Sequence, residues 1–253
     1  MGTIGSLLWR LTGHHPRTAA IVLAGGSGSR MQREDGVTKQ RMLLCGEPVI
    51  VHALRAFEAC EVIDEIVVVS RREDIPHLQT IFKQYPFSKL TRIAVGGKTR
   101  QVSARLGLEA VCRGTKFVAI HDAVRCLITP EDIQRVVKEA YRFRAACAGT
   151  PLVDSLKKVR PTGFVEETPD RSQYWLAQTP QVFAEALYRS AAYTGKKYGW
   201  VATDDSSLVE RLGQGVRMVD CGRENLKITL PGDLKIAEAI LEERRRASQE
   251  EME

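Results

Sequence analysis

Apolar and polar positions along the chain fall into blocks that switch between strand and helix periodicity. Ala20 to Leu23 is a short apolar run with β-branched members that breaks into Gly25, Gly26, Ser27 and Gly28. This predicts a buried strand followed by a glycine-rich turn. Val49 to Glu58 sets Ile50, Ala53, Leu54 and Phe57 at helical spacing. Glu65 to Ser70 reads as a strand, Glu73 to Gln84 as a helix with Pro76 in its first turn, and Arg92 to Val95 as a short strand. Thr99 to Cys112 carries Val102, Leu106 and Ala110 on one helical face, and Phe117 to His121 is the next strand. Thr129, Pro130, Glu131 and Asp132 open another helix. Threonine can cap it, proline suits a first turn, and acids favour the positive end of the dipole. That helix runs to about Phe143, and Ala146 to Val153 returns to strand.

Repeated strand–helix–strand units predict an α/β fold, a mostly parallel sheet with helices on both faces. Ligands of such sheets bind beyond the carboxyl ends of the strands. Three loops converge on that rim: Gly25 to Lys39, Gly96 to Ser103, and His121 to Arg125. From Asp154 to Gln173 the pattern turns polar, with Pro161, Gly163 and Pro169 between short alternating stretches. This predicts a protruding β-arm, too small to bury itself, which either packs on a second subunit or lies as a surface loop. Helices follow at Val182 to Tyr193 and Asp205 to Leu212, then a strand at Val216 to Val219 and a last helix from Pro231 to Arg246. The expected organisation is an extension at 1–17 with no assigned role, one domain at 18–246 containing the arm at 154–173, and a frayed tail at 247–253.

Composition narrows the class. Among 253 residues, 43% are hydrophobic and 27% charged, ordinary values for a globular protein long enough to bury a large core. A net charge of +6 is spread over many elements, which leaves only a weak nucleic-acid footprint and suits an anionic small substrate just as well; no nucleic-acid partner is expected. The six cysteines form no CxxC pair, consistent with reduced thiols in the cytoplasm. No apolar run approaches the ~20 residues that span a membrane, and the apolar patch Leu7, Leu8, Trp9 is interrupted by Arg10, a poor signal peptide.

The glycine turn is neither a Walker A loop, since no Gly-Lys-Ser/Thr follows, nor a complete GxGxxG, since Met31 stands at the third glycine. Its amides can still approach a phosphate closely, and Arg30 and Lys39 lie just beyond it, where cations would stabilise charge developing at phosphorus. Gly97, Thr99 and Ser103 form either a base- or phosphate-reading loop or a helix start capped by Thr99. Asp122 is the best candidate for a hard metal ion, which one or two carboxylates hold together with substrate phosphates; a surface pair with Arg125 is the alternative.

The ordered motifs LAGGSGSRM, TKQ, GGKTRQVS, HDAVR, DRSQYWLAQTPQ, ATDDSSLVE and ENLKIT resemble the 2-C-methyl-D-erythritol 4-phosphate cytidylyltransferase family over roughly residues 18 to 243. The resemblance implies a Rossmann-like nucleotidyltransferase fold, a homodimer joined by the β-arm, and a Mg²⁺-dependent reaction of CTP with a sugar-alcohol phosphate in non-mevalonate isoprenoid synthesis. It implies that Arg30 and Lys39 are catalytic, and that Ala24, Gly25, Gly26, Gly28, Gly97, Ser103, Asp122 and Ala123 bind the nucleotide, with Asp122 at the metal. Arg125, Ser155, Arg171, Thr203 and Lys227 would bind the acceptor, Ser155 and Arg171 reaching across from the partner's arm.

Several positions depart from the family pattern: LAGG in place of PAAG or LAAG, Thr38 and Cys126 where proline is common, Ser155 where threonine is frequent, and Lys98 where an acid is usual. No charged residue assigned to the reaction is lost. A ribitol-5-phosphate cytidylyltransferase, which shares LAGG and HDAVR, is the alternative enzyme, and a nucleotide-binding protein without activity is the alternative class.

Overall fold

The computed structural model describes residues 15–26 and 38–250. Strand β1 (Thr18–Leu23) is buried at every position. A 3-10 turn (Lys39–Arg41) and a short hairpin, β2 (Leu43–Leu44) with β3 (Glu47–Pro48), lead into helix α1 (Val49–Ala59). Then come β4 (Glu65–Ser70), α2 (Ile75–Gln84), β5 (Leu90–Val95), α3 (Arg100–Ala110), β6 (Phe117–Asp122), α4 (Pro130–Phe143) and β7 (Ala145–Pro151). The arm strands β8 (Lys158–Val159) and β9 (Val165–Glu167) precede β10 (Trp175–Ala184), α5 (Glu185–Lys197), α6 (Asp205–Glu210), β11 (Arg217–Asp220) and α7 (Pro231–Glu250).

Seven strands form the central sheet in the order β11-β7-β10-β6-β1-β4-β5. Strand β1 lies parallel to β4 and β6, β4 to β5, and β7 to β11, while β10 runs antiparallel to both its neighbours. The chain steps outward from β1 to β4 and β5, then returns to the far side of β1 as β6. That reversal opens a crevice at the carboxyl ends of β1 and β6, where ligands of open α/β sheets bind.

Both faces of the central strands are apolar, so alternate residues feed two cores. Ala20, Val22, Ile66 and Val68 pack with Leu54 and Phe57 of α1, Leu78 of α2 and Ile133 of α4. Ile21, Val67 and Val69 face Ala104 and Leu108 of α3, Tyr188 of α5 and Leu208 of α6. A third cluster joins Met42, Leu44 and Val49 to Leu127, Ile228 and Ala237 of α7. Thr129 caps α4 through a bond from Asp132 N–H at 3.2 Å, as its sequence predicts.

Two elements differ from the periodicity. Val182 and Phe183 close strand β10, and the helix expected to contain them starts only at Glu185. Their adjacency, with Leu187 and Tyr188 beyond, imitates helical spacing, but in the sheet Val182 and Phe183 feed opposite cores. Polar Gln178 and Gln181 interrupt the alternation that would have marked the strand. The last helix also continues past Arg246 to Glu250.

Helix α3 sits close on the sheet because Gly107 has no side chain. A Cβ there would overlap Ile21 Cγ2 and lie 2.8 Å from Val69 Cγ2. We expect Gly107→Ala to destabilise the protein by roughly 1–3 kcal/mol through overpacking, despite alanine's better helix propensity. Urea denaturation measures this; an unchanged or raised midpoint would contradict it.

Candidate active site

The carboxyl-end rim is stitched together by backbone bonds. Ala24 N–H donates to Val69 O at 2.7 Å, Ala123 N–H to Leu23 O at 3.0 Å, and Gly96 N–H to Ser70 O at 2.7 Å. Buried Gln40 donates from Nε2 to Ala24 O at 2.7 Å, which brings the far end of the glycine loop back to β1. Lys39 therefore stands at the rim, its Nζ donating to Thr229 O at 2.6 Å. Ile228 N–H donates to Val124 O at 2.9 Å, so the segment carrying Lys227 is paired to the turn after β6.

Asp122, the last residue of β6, is the electrostatic centre of this rim. Its Oδ1 accepts from Arg100 Nε at 2.9 Å and its Oδ2 from Lys227 Nζ at 2.7 Å. Burial alone would raise its carboxyl, but Arg100 and Lys227 outweigh that and hold it well below the usual carboxylate range. Arg100 reaches further, from Nη1 to Asp205 Oδ2 at 2.6 Å, and Tyr188 OH donates to Asp205 Oδ1 at 2.6 Å. Burial works against the charge on Arg100, yet Asp205 and Asp122 together keep it firmly protonated. Two cations and two carboxylates thus compensate one another.

The turn after β6 is fixed from behind. Asp122 N–H donates to Thr179 Oγ1 at 3.1 Å, leaving the Thr179 hydroxyl to donate to His121 Nδ1 at 3.0 Å. His121 then carries its proton on Nε2 and donates to Arg125 O at 3.1 Å. Arg125 gives Nη1 to Asn225 O at 2.8 Å and Nη2 to Ala177 O at 3.4 Å, while its buried Nε meets no hydrogen-bond partner among the described residues. Burial lowers its pKa from the ordinary guanidinium value.

In the second loop, Thr99 caps α3 by accepting from Val102 N–H at 3.2 Å, as a plain helix start would. Ser103 Oγ accepts from Gly97 N–H at 3.1 Å and donates to Thr99 O at 2.9 Å, so its hydroxyl shapes the loop. A Cβ on Gly97 would fall 2.8 Å from Val102 Cβ, so no larger residue fits this turn.

Of the residues singled out in the sequence, Ala24, Gly25, Gly26, Lys39, Gly97, Ser103, Asp122, Ala123, Arg125 and Lys227 lie along this rim, on or just beyond its strand ends. Arg30 and Gly28 lie outside the described residues. Thr203 is exposed directly before Asp204, the cap of α6. Ser155 and Arg171 are exposed on the arm, where Arg171 Nη1 bonds Val153 O, and no hydrogen bond joins either to the Asp122 cluster among the described residues. Sequence reasoning passed over Arg100 inside the Gly96 to Ser103 loop and gave Asp205 and Tyr188 no role. The signal available was a cation at the start of a helix, where it opposes the dipole. Among the described residues no three His, Cys, Asp or Glu side chains cluster as metal ligands. A hard ion shared between one carboxylate and substrate phosphates needs no such cluster, and each Asp122 oxygen, with two lone pairs, keeps one to offer.

Burial pushes the His121 imidazole down to about 4, below its ordinary value. The neutral form is favoured in the folded state, so the stabilisation is complete above the unfolded pKa of about 6.5 and is lost as pH falls toward 4, on the order of 3 kcal/mol. His52, also lowered by burial, acts in the same direction. Imidazole NMR should find His121 titrating near pH 4; titration near 6.5 would contradict this burial.

Residues 18–243 match the family model of 2-C-methyl-D-erythritol 4-phosphate cytidylyltransferase (IspD). A protein of that name from Syntrophus aciditrophicus is 41% identical over 232 residues, covering 89% of this chain and 96% of the relative. Another from Symbiobacterium thermophilum is 42% identical over 229 residues, covering 90% and 94%. Among solved structures, 4-diphosphocytidyl-2C-methyl-D-erythritol synthase from Anaerococcus prevotii superposes with a TM-score of 0.80 at 27% identity, covering 89% of this chain and 96% of that one. The cytidylyltransferase from Thermus thermophilus gives 0.71 at 29% identity, covering 88% and 98%. With this coverage and identity joined to the rim geometry, the chain belongs to the 2-C-methyl-D-erythritol 4-phosphate cytidylyltransferase family.

Proposed function

We propose that this protein transfers CMP from CTP to 2-C-methyl-D-erythritol 4-phosphate, giving CDP-methylerythritol and pyrophosphate in non-mevalonate isoprenoid precursor synthesis. The observation that carries the reading is the ionised Asp122 between Arg100 and Lys227, at the strand ends where the glycine loop and the Gly97 loop also meet. An acceptor phosphate oxygen attacks the α-phosphorus, the bond from that phosphorus to the α,β-bridging oxygen breaks, and pyrophosphate leaves with the electron pair. The nucleophile is already ionised, so positioning and electrostatic stabilisation suffice without a general base.

In this reading Ala24, Gly25, Gly26 and Gly28 offer backbone amides to the triphosphate, and Gly97 and Ser103 shape the site for cytosine. Arg30 and Lys39 stabilise the charge that grows at phosphorus, while Ala123 lines the nucleotide. Asp122 would hold Mg²⁺ together with triphosphate oxygens, and the bound ion would neutralise phosphate charge. Lys227, Thr203 and Arg125 face the acceptor. Ser155 and Arg171 are supplied across a homodimer by the arm. The supporting feature is the arm's exposed apolar surface, with Phe164 at 74% exposure and Val159 and Val165 also outward. A cytoplasmic setting agrees with six free cysteines, and no helix among the described residues is long and apolar enough to cross a membrane.

The test is pyrophosphate release with CTP and Mg²⁺ in the presence of each acceptor, on the full chain and on a chain lacking 154–173. We expect turnover with 2-C-methyl-D-erythritol 4-phosphate by the full chain, and a monomeric, inactive truncated chain. Preference for ribitol 5-phosphate, or CTP binding without turnover, would overturn the reaction; an active monomer would overturn the dimer.

A further inference from the structure

We infer that Asp205 is a positioning residue for CMP transfer, acting through Arg100 on Asp122; the inference rests on the function proposed above. Arg100 is the first residue of α3, where a cation opposes the helix dipole and gains nothing for the helix. Its fork spans two carboxylates, Nε to Asp122 at 2.9 Å and Nη1 to Asp205 at 2.6 Å. A lysine ammonium, a single point charge, does not reproduce that planar bridge.

Asp205 is held on three sides. Its backbone N–H and that of Ser206 donate to Gln181 Oε1 at 3.0 and 2.9 Å. Its Oδ1 accepts from the buried Tyr188 hydroxyl, and its Oδ2 accepts from Arg100. The Asp205 side chain is 1% exposed, whereas Lys227, the other partner of Asp122, is 40% exposed. The plane of the Asp122 carboxylate is therefore set from the Arg100 side, which is anchored in the core, and Lys227 remains the accessible partner. A buried ion network of this kind is not needed for stability, since apolar side chains of similar volume often do as well or better. Its geometry instead fixes a charged group at the nucleotide rim.

The neighbouring residue reinforces the same junction. Gln101 donates from Nε2 to Trp200 O at 3.1 Å and accepts from Ala202 N–H at 3.4 Å, tying the start of α3 to the segment that leads through Thr203 to Asp205. Consecutive residues of α3 thus fasten the nucleotide-side loop to the acceptor-side segment.

The experiment compares Asp205→Asn and Tyr188→Phe with the unaltered chain, using thermal melting to establish folding, calorimetric titration of CTP, and steady-state kinetics. The glycine loops supply much of the ground-state contact, so CTP affinity should change less than about threefold while kcat falls about tenfold or more for Asp205→Asn. Tyr188→Phe, which keeps the charge but loses one restraint, should lower kcat by a smaller factor. A folded Asp205→Asn protein with kcat within twofold of the unaltered chain would overturn the inference. If Asp205→Asn does not fold, Tyr188→Phe decides in the same way, and failure of both to fold would reduce Asp205 to a structural role and overturn it. An unaltered chain that turns over no acceptor would instead overturn the proposed function.

Discussion

A carboxylate taken out of water at the end of a strand is unfavourable unless cations meet it, and the candidate-site rim is arranged around that requirement at Asp122. Burial works against its charge; Arg100 and Lys227 restore it. Those cations come from distant parts of the chain, one from the first turn of α3 and one from the segment before α7. Satisfying Asp122 therefore draws the second loop and the C-terminal segment onto the crevice between β1 and β6. The parallel register of β1 with β6, Leu23 opposite Asp122, sets the glycine loop beside the same point.

Close packing supports this arrangement from beneath. Gly107 lets α3 settle on Ile21 and Val69, which fixes the height at which Arg100 and the Gly97 loop meet the rim. On the other side, the Asp122–Thr179–His121–Arg125 chain of hydrogen bonds pins the turn after β6 to β10. A neutral His121 is part of that chain, because Nδ1 must accept. The site is thus built on rigid elements, as electrostatic stabilisation of a developing charge requires.

Much of this was legible in the sequence because the central strands are apolar on both faces and several helices carry their own start signals. Thr129 with Pro130, and Thr99 before Arg100, are local chemistry, and local chemistry survives folding. The candidate residues on strand ends, Asp122 and the glycines, could be named because topology sends those ends to one rim. Strand β10 was harder to read: Gln178 and Gln181 point inward to serve Asn225, Asp205 and Ser206, so the apolar alternation is broken by polar groups with tertiary partners. The Arg100–Asp205–Tyr188 connection joins residues 105 and 17 positions apart, and no spacing rule reports such a pairing. Cys126 is buried with its thiol pushed up to about 12, so it serves as packing under the turn.

The charge of Asp122 is the feature on which Arg100, Lys227 and the strand-end rim converge, and replacing it with an isosteric neutral group isolates that charge from its shape. The most direct measurement is the turnover number of Asp122→Asn with CTP, Mg²⁺ and 2-C-methyl-D-erythritol 4-phosphate, made on protein that still melts cooperatively. A fall of about 100-fold or more is predicted if Asp122 has the electrostatic role proposed for it, the scale on which losing one such group acts. Turnover within a few-fold of the unaltered chain would contradict the account.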